Sequence, residues 1–204
     1  YDFAGFPPAL NDVKYPAPVA PDLAARVEQC LSPTIARSAD RGLDHGVWVP
    51  LVHMFPDADI PVLQLSLVRG ASPRDLFALG ERLAPLRDDG VLVIGSGGAV
   101  HNLRALDGSD APATPYWANE FDAWLANCLA EGDTDSLLDY RSRAPSAEQA
   151  HPTPEHLNPL FVAMGAAFPL FLLHRERALA ASDGSASAGT LKTMRSASHR
   201  HPVT

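Results

Sequence analysis

The sequence lacks an excess of basic residues, long apolar stretches and a cysteine framework. Its 16 Lys and Arg residues are outnumbered by 24 Asp and Glu residues, which gives a net charge of −8. A nucleic-acid-binding face needs clustered positive charge, so no nucleic-acid partner is expected. The longest apolar run, residues 165–173, is interrupted by Pro169 and falls short of a bilayer span, so no membrane partner is expected. The two cysteines, Cys30 and Cys128, favour a reducing, cytoplasmic location.

Strand and helix patterns alternate in the middle of the chain. Residues 60–68, IPVLQLSLV, are mostly apolar on both alternating faces, which is typical of a strand buried on both sides. Ser72 and Pro73 are signals for the start of a helix, and the run GVLVIGSG at 90–97 predicts a second buried strand. The order strand, helix, strand predicts a βαβ unit and therefore an α/β fold with a mostly parallel sheet.

A glycine cluster at 95–98 follows the second predicted strand, and His101 comes directly after it. The spacing G-x-G-x-x-G of a dinucleotide site is absent, and no Lys-Ser/Thr pair supports a phosphate loop. The elbow pattern G-x-S-x-G around a nucleophilic serine is absent too. Ligands of open parallel sheets bind beyond the carboxyl ends of the strands, so His101 is predicted there, on the first turn of the next helix. The alternative is a tight connection that carries a surface histidine.

Three further histidines are candidates for a site. His45 lies between two glycines in RGLDHGVW, which indicates close packing or an unusual backbone; it is otherwise an ordinary histidine near a helix cap. His151 and His156 occur in AHPTPEHLNP, where prolines stiffen the chain. Their spacing is not the i, i+4 pairing of helical zinc sites, so they need not bind one ion. His156 is predicted in a short turn before a buried helix, and the alternative is a loop with two solvated histidines.

Four blocks of the sequence, taken in order, resemble the class III extradiol ring-cleavage dioxygenases. The blocks are YDFAGFPPAL with KYPAP, LDHGVWVPLVHMFPDADIPVLQLSL, GVLVIGSGGAVHNLRAL and HPTPEHLNPLFVAMGAA. The branch they resemble is the LigB-like, DOPA 4,5-dioxygenase type, and the resemblance runs from Tyr1 to about Ala167. It implies a three-layer αβα fold with a mostly parallel central sheet. It also implies an enzyme that opens a catechol with O2 and incorporates both oxygen atoms.

The same resemblance implies a set of site residues and a metal. His45 and His101 are expected to be catalytic, and His156 and His101 to lie at the metal. His151 is expected behind the metal ligands or at the substrate. Fe(II) is expected for activity, and Zn(II) is an alternative bound metal without redox chemistry. The expected partners are a catecholic small molecule and O2, while the oligomeric state, including a homo-oligomer, stays open.

The sequence also departs from the family pattern at both ends. Two further metal-binding histidines and the first strands of the sheet precede the part of the family pattern that Tyr1 begins, so an N-terminally truncated copy is expected. Residues 1–182 are expected to form one catalytic α/β domain, and residues 183–204 a disordered or aberrant tail. The alternative function is a catalytically incompetent fragment of the same fold that lacks part of the metal site.

Overall fold

A computed structural model describes residues 8–33, 35–38, 40–106 and 113–167. The helices in these ranges are α1 (Pro21–Leu31), α2 (His45–Met54), α3 (Pro73–Leu83), α4 (Tyr116–Glu131), α5 (Thr134–Leu138), α6 (Tyr140–Arg143), α7 (Ala147–Ala150) and α8 (Asn158–Ala167). Short 3-10 turns occur at Pro8–Asp12, Ala84–Arg87 and Leu103–Ala105. The expected tail, residues 183–204, lies outside the described residues.

Helix α3 begins where its sequence signals predict. The Ser72 side chain accepts a hydrogen bond from the Asp75 amide, and the Asp75 carboxylate accepts one from the Ser72 amide, which together form a capping box. Pro73 occupies the first turn, where its missing N–H costs nothing. The start of the helix predicted at Ser72 is therefore confirmed.

Helices α3 and α8 form the closest helix pair of the described structure because two glycines face each other across the contact. A Cβ atom at Gly80 would collide with the carbonyl oxygen of Val162, and one at Gly165 would collide with that of Phe77. The two backbones thus approach more closely than any larger residue permits. This contact fixes α8, whose N-terminal end lies beside His156.

The main hydrophobic core lies between α1, α3, α4 and α8. Its fully buried members combine large aromatic and branched side chains, among them Leu31, Leu76, Phe121, Leu137, Tyr140 and Phe161. Phe121 and Tyr140 meet edge to face with ring centroids 6.4 Å apart, a favoured aromatic geometry. The core also contains residues of α7 and Leu157, from the turn before α8.

The two predicted strands are neither helical nor paired in a β-ladder among the described residues. Leu65, Leu67, Val91 and Val93 pack inward against the core. Residues that alternate with them are exposed, including Leu92 at 69% and Ile94 at 46%. Burial on one face is therefore observed for both segments. The expectation of burial on both faces is not met within the described chain.

Within the described ranges, no helix combines the length and the apolarity that crossing a membrane requires.

Candidate functional site

His101 and His156 meet face to face. Their ring centroids are 3.3 Å apart and the ring planes are inclined by only 12°. The two residues are far apart in sequence, so this contact exists only because the glycine cluster and the turn before α8 are packed together. The prediction that His156 lies in a turn before a buried helix is confirmed, since residues 155–157 form a turn and α8 begins at Asn158.

His101 does not lie on the first turn of a helix, and that part of the sequence prediction is wrong. It lies in a loop and precedes only a single 3-10 turn, Leu103–Ala105. The Asn102 side chain accepts a hydrogen bond from the Arg104 amide, which caps this turn locally. The imidazole is consequently held by a loop, and its position depends on what that loop contacts.

The glycines of the cluster let the loop lie directly on the backbone of residues 156–159. A Cβ atom at Gly97 would collide with the carbonyl oxygen of His156, and one at Gly95 would collide with that of Pro159. The Gly98 amide donates a hydrogen bond to the same His156 carbonyl at 2.9 Å. The glycine cluster therefore serves a close approach between two protein segments, and the approach brings His101 to His156.

The His156 ring is partly buried, and its surroundings change its pKa. Burial lowers its pKa, and the neighbouring His101 ring lowers the pKa further, so the neutral form is favoured. The buried Nδ1 has no hydrogen-bond partner among the described residues, and the Glu155 carboxylate is 3.8 Å from it. Thr153 holds that carboxylate through a hydrogen bond of 2.6 Å. A neutral imidazole with an unengaged nitrogen is the form that binds metals.

His45 is the first residue of α2 and lies exposed near the same site. Its charge contributes to lowering the His156 pKa, after burial and His101. The start of α2 is fixed by Gln64, whose amide group exchanges two hydrogen bonds of 2.9 Å with the Asp44 backbone N–H and carboxylate. A Cβ atom at Gly46 would lie 3.8 Å from the Ser96 hydroxyl, which places α2 beside the glycine cluster.

His151 is fully buried. Its ring packs edge-on against Phe121 with centroids 5.2 Å apart, and its Nε2 lies 2.8 Å from the Ala99 carbonyl oxygen. Burial lowers the pKa of this imidazole. The interpretation of His151 as a solvated loop histidine is therefore wrong.

The described residues include side chains of the kind that bind a metal, but too few of them to form a complete metal site. Imidazoles suit iron and zinc, yet the stacked rings of His101 and His156 direct their nitrogens within nearly parallel planes rather than toward one point. In the described part of the chain, no group of three or more His, Cys, Asp or Glu side chains could hold an ion. A complete centre needs further donors.

Gln64 was not identified from the sequence, although it has a structural role beside the site. The available signal was its position as the amide-bearing residue in the otherwise apolar run 60–68. Buried or half-buried amides usually have a specific partner, and here that partner is Asp44.

Comparison with known proteins places the chain in a family. The family model "Catalytic LigB subunit of aromatic ring-opening dioxygenase" matches residues 1–169. The chain belongs to this family, and the resemblance inferred from the four sequence blocks is confirmed. The coarse fold is confirmed as well: a solved structure of an uncharacterized Escherichia coli K12 protein matches with a TM-score of 0.68 and 37% identity. The match covers 76% of this chain and 65% of that chain.

The names of curated relatives state an activity more specifically than the family description does. The "4,5-DOPA dioxygenase extradiol" of Beta vulgaris is 46% identical over 171 residues, which cover 82% of this chain and 63% of that protein. Those of Portulaca grandiflora and Escherichia coli K12 are 46% and 40% identical, and the matches cover 81% of this chain and 63% of each relative. The match therefore spans less than two thirds of the length of these relatives.

Proposed function

We propose that the protein is an extradiol ring-cleaving dioxygenase that opens a catechol with O2 and incorporates both oxygen atoms. The observation that carries this proposal is the contact between His101 and His156, formed by the glycine cluster in a chain of the LigB family. The names of the relatives favour a DOPA-type catechol and cleavage between carbons 4 and 5. The diol supplies the electrons that reduce O2, so the reaction needs no external reductant.

The proposed centre holds a non-haem metal, with Fe(II) for activity and Zn(II) as an alternative bound ion. His156 would contribute an imidazole ligand, His101 would lie beside it at the metal, and the remaining donors would come from outside the described residues. When bound, Fe(II) supplies the redox chemistry with O2, which Zn(II) does not. The unengaged His156 Nδ1 supports this assignment.

The histidines of the chain would divide the proton chemistry. His101, on its loop, would accept a proton from a catechol hydroxyl at a ring nitrogen and return it as the ring opens, a role suited to imidazole near neutral pH. His45, exposed at the start of α2, would line the catechol side of the site and assist proton transfer. Of the two places expected for His151, its burial supports the one behind the ligands.

We also infer that residues 60–68 and 90–97 are strands of a mostly parallel sheet in a three-layer αβα domain. Their inward residues pack on the core while Leu92 and Ile94 stay exposed. Among the described residues, the backbone groups of 63–67 and 92–97 make no hydrogen bonds to other backbone groups. Neighbouring strands in a sheet supply the hydrogen-bond partners for such unpaired backbone groups. One domain over 1–182 and a cytoplasmic location remain predictions.

The second candidate is a protein that has the LigB fold but does not catalyse ring opening. The lack of a third metal donor in the described part of the chain favours a catalytically incompetent form that retains the LigB core. This candidate predicts weak iron binding and no ring opening, even in a folded protein.

One assay separates the two candidates. The protein is loaded with Fe(II) under anaerobic conditions, mixed with DOPA and then exposed to O2. The dioxygenase proposal expects a yellow ring-opened semialdehyde and consumption of one O2 per catechol. A folded, iron-treated protein that yields neither would contradict the proposal and support the incompetent form.

Single substitutions then test the residue assignments. His156→Ala should abolish metal retention, because it removes the proposed ligand. His101→Ala should reduce turnover more than metal binding, because its proposed main role is proton transfer. His53→Ala is the matched control, since His53 is an exposed histidine in the last turn of α2. Full activity in both site variants would show that the site is assigned wrongly.

A further inference from the structure

The loop that carries His101 is attached to residues 149–151 by three hydrogen bonds. The His101 amide donates to the Ala150 carbonyl at 2.9 Å, and the Asn102 side-chain amide donates to the Gln149 carbonyl at 2.7 Å. His151 Nε2 is 2.8 Å from the Ala99 carbonyl oxygen. Two of these bonds start from the loop, and the third comes from the side chain of His151.

The direction of the His151 bond is fixed by chemistry. A carbonyl oxygen only accepts, so Nε2 carries the hydrogen and donates it, in the neutral ring as well as in the charged one. The buried Nδ1 has no hydrogen-bond partner among the described residues. The ring therefore makes one directed bond, and that bond ends on the loop two residues before His101.

The backbone and the ring of His151 are both held in place. Its amide donates to the Ala147 carbonyl at 2.9 Å, and its carbonyl accepts from the Arg141 guanidinium at 3.3 Å. The rings of Phe121 and Tyr140 face its edges with centroid distances of 5.2 and 6.5 Å. A phenylalanine would fill this apolar environment without burying polar nitrogens, whose burial is costly. The imidazole at this position is thus explained by its bond to Ala99.

We propose that His151 is a positioning residue: its ring fixes the loop 99–102 and thereby holds the His101 ring against His156. The catalytic benefit of this positioning rests on the proposed function, but the positioning itself is a property of the folded chain. His151 would not touch substrate. Its removal would leave the His156 turn in place and let the His101 loop move.

Amide hydrogen exchange tests the positioning independently of activity. In His151→Phe the volume is retained and the donor is lost, so the His101 amide should exchange about five- to tenfold faster, the cost of one lost hydrogen bond. His151→Gln keeps an N–H donor and should restore protection to within about threefold of the original. The ring-current shift of His101 from the His156 ring should weaken in the first variant and return in the second.

Phe121→Leu is the control for general loss of packing, since Phe121 contacts the His151 ring without bonding the loop. It should lower the protection of core amides without a specific effect at His101. Equal loss at His101 in Phe121→Leu and His151→Phe, or no rescue by His151→Gln, would overturn the positioning role. A protein without dioxygenase activity that shows the expected exchange pattern would contradict the proposed function alone.

Discussion

Gly97→Ala should disrupt the site through a single methyl group. The new Cβ would collide with the carbonyl oxygen of His156 and lie 3.2 Å from its carbonyl carbon. Both atoms belong to the backbone, so no side-chain rotation relieves the overlap, and one segment must move. Overpacking of this kind costs about 1–3 kcal/mol, which for a domain of this size lowers Tm by roughly 2–12 °C.

The same displacement should separate the histidines. The Gly98 amide bonds the His156 carbonyl that the methyl group displaces, so the register of the loop against the turn is lost locally. Because a shift of about 1 Å is enough to impair a catalytic arrangement, metal retention and turnover should fall further than the Tm change alone implies. Thermal unfolding and Fe(II) retention after gel filtration measure the two effects.

Gly42→Ala provides the matched control. A Cβ atom at Gly42 has nothing within 4 Å, so the variant should stay within about 0.5 kcal/mol of the original and keep its metal. If Gly97→Ala behaves like Gly42→Ala in both assays, the close approach that brings the histidines together is refuted.

Three further predictions concern stability. Gly165→Ala, which drives a methyl group into the Phe77 carbonyl, should destabilise the α3–α8 contact by about 1–3 kcal/mol in urea unfolding, and an unchanged midpoint would contradict that contact. Phe161→Ala should cost about 3–5 kcal/mol in the same assay because the ring is fully buried, while a loss under 1 kcal/mol would mean that it is not. Ser72→Ala should cost about 1 kcal/mol through loss of the cap, as judged by helix content and Tm. Hydrogen bonds from Ser72 lower the Asp75 pKa below 3.8, so the contribution of this carboxylate is present above about pH 4 and lost as pH falls through the lowered value. Ser72→Ala should therefore flatten the acid dependence of stability, and an unaltered dependence would contradict the capping box.

Local signals in the sequence predicted helix boundaries well. The Ser72-Pro73 start of α3 depends on a few adjacent residues. The turn that holds His156 was predicted for the same reason, since prolines act on the backbone beside them. The family resemblance came from ordered blocks and was confirmed by the match over residues 1–169.

Contacts between distant segments could not be read from the sequence. The sequence did not indicate what the glycine cluster packs against, and its glycines accommodate the backbone of residues 156–159. His151 resembled a solvated loop residue because nothing in its neighbouring sequence specifies Phe121 and Ala99 as partners. The segments 60–68 and 90–97 carry a buried-strand pattern, but pairing depends on neighbouring strands that the described residues do not include.

The central claim is that the imidazoles of His101 and His156 meet at one site, and proton NMR of the two rings tests it most directly. Stacked rings with centroids 3.3 Å apart should shift each other's carbon-bound protons upfield. His156→Phe should keep a ring current at His101, whereas His156→Ala should abolish it. Ring protons of His101 that are unaffected by either substitution would contradict the claim and, with it, the proposed oxygenase site.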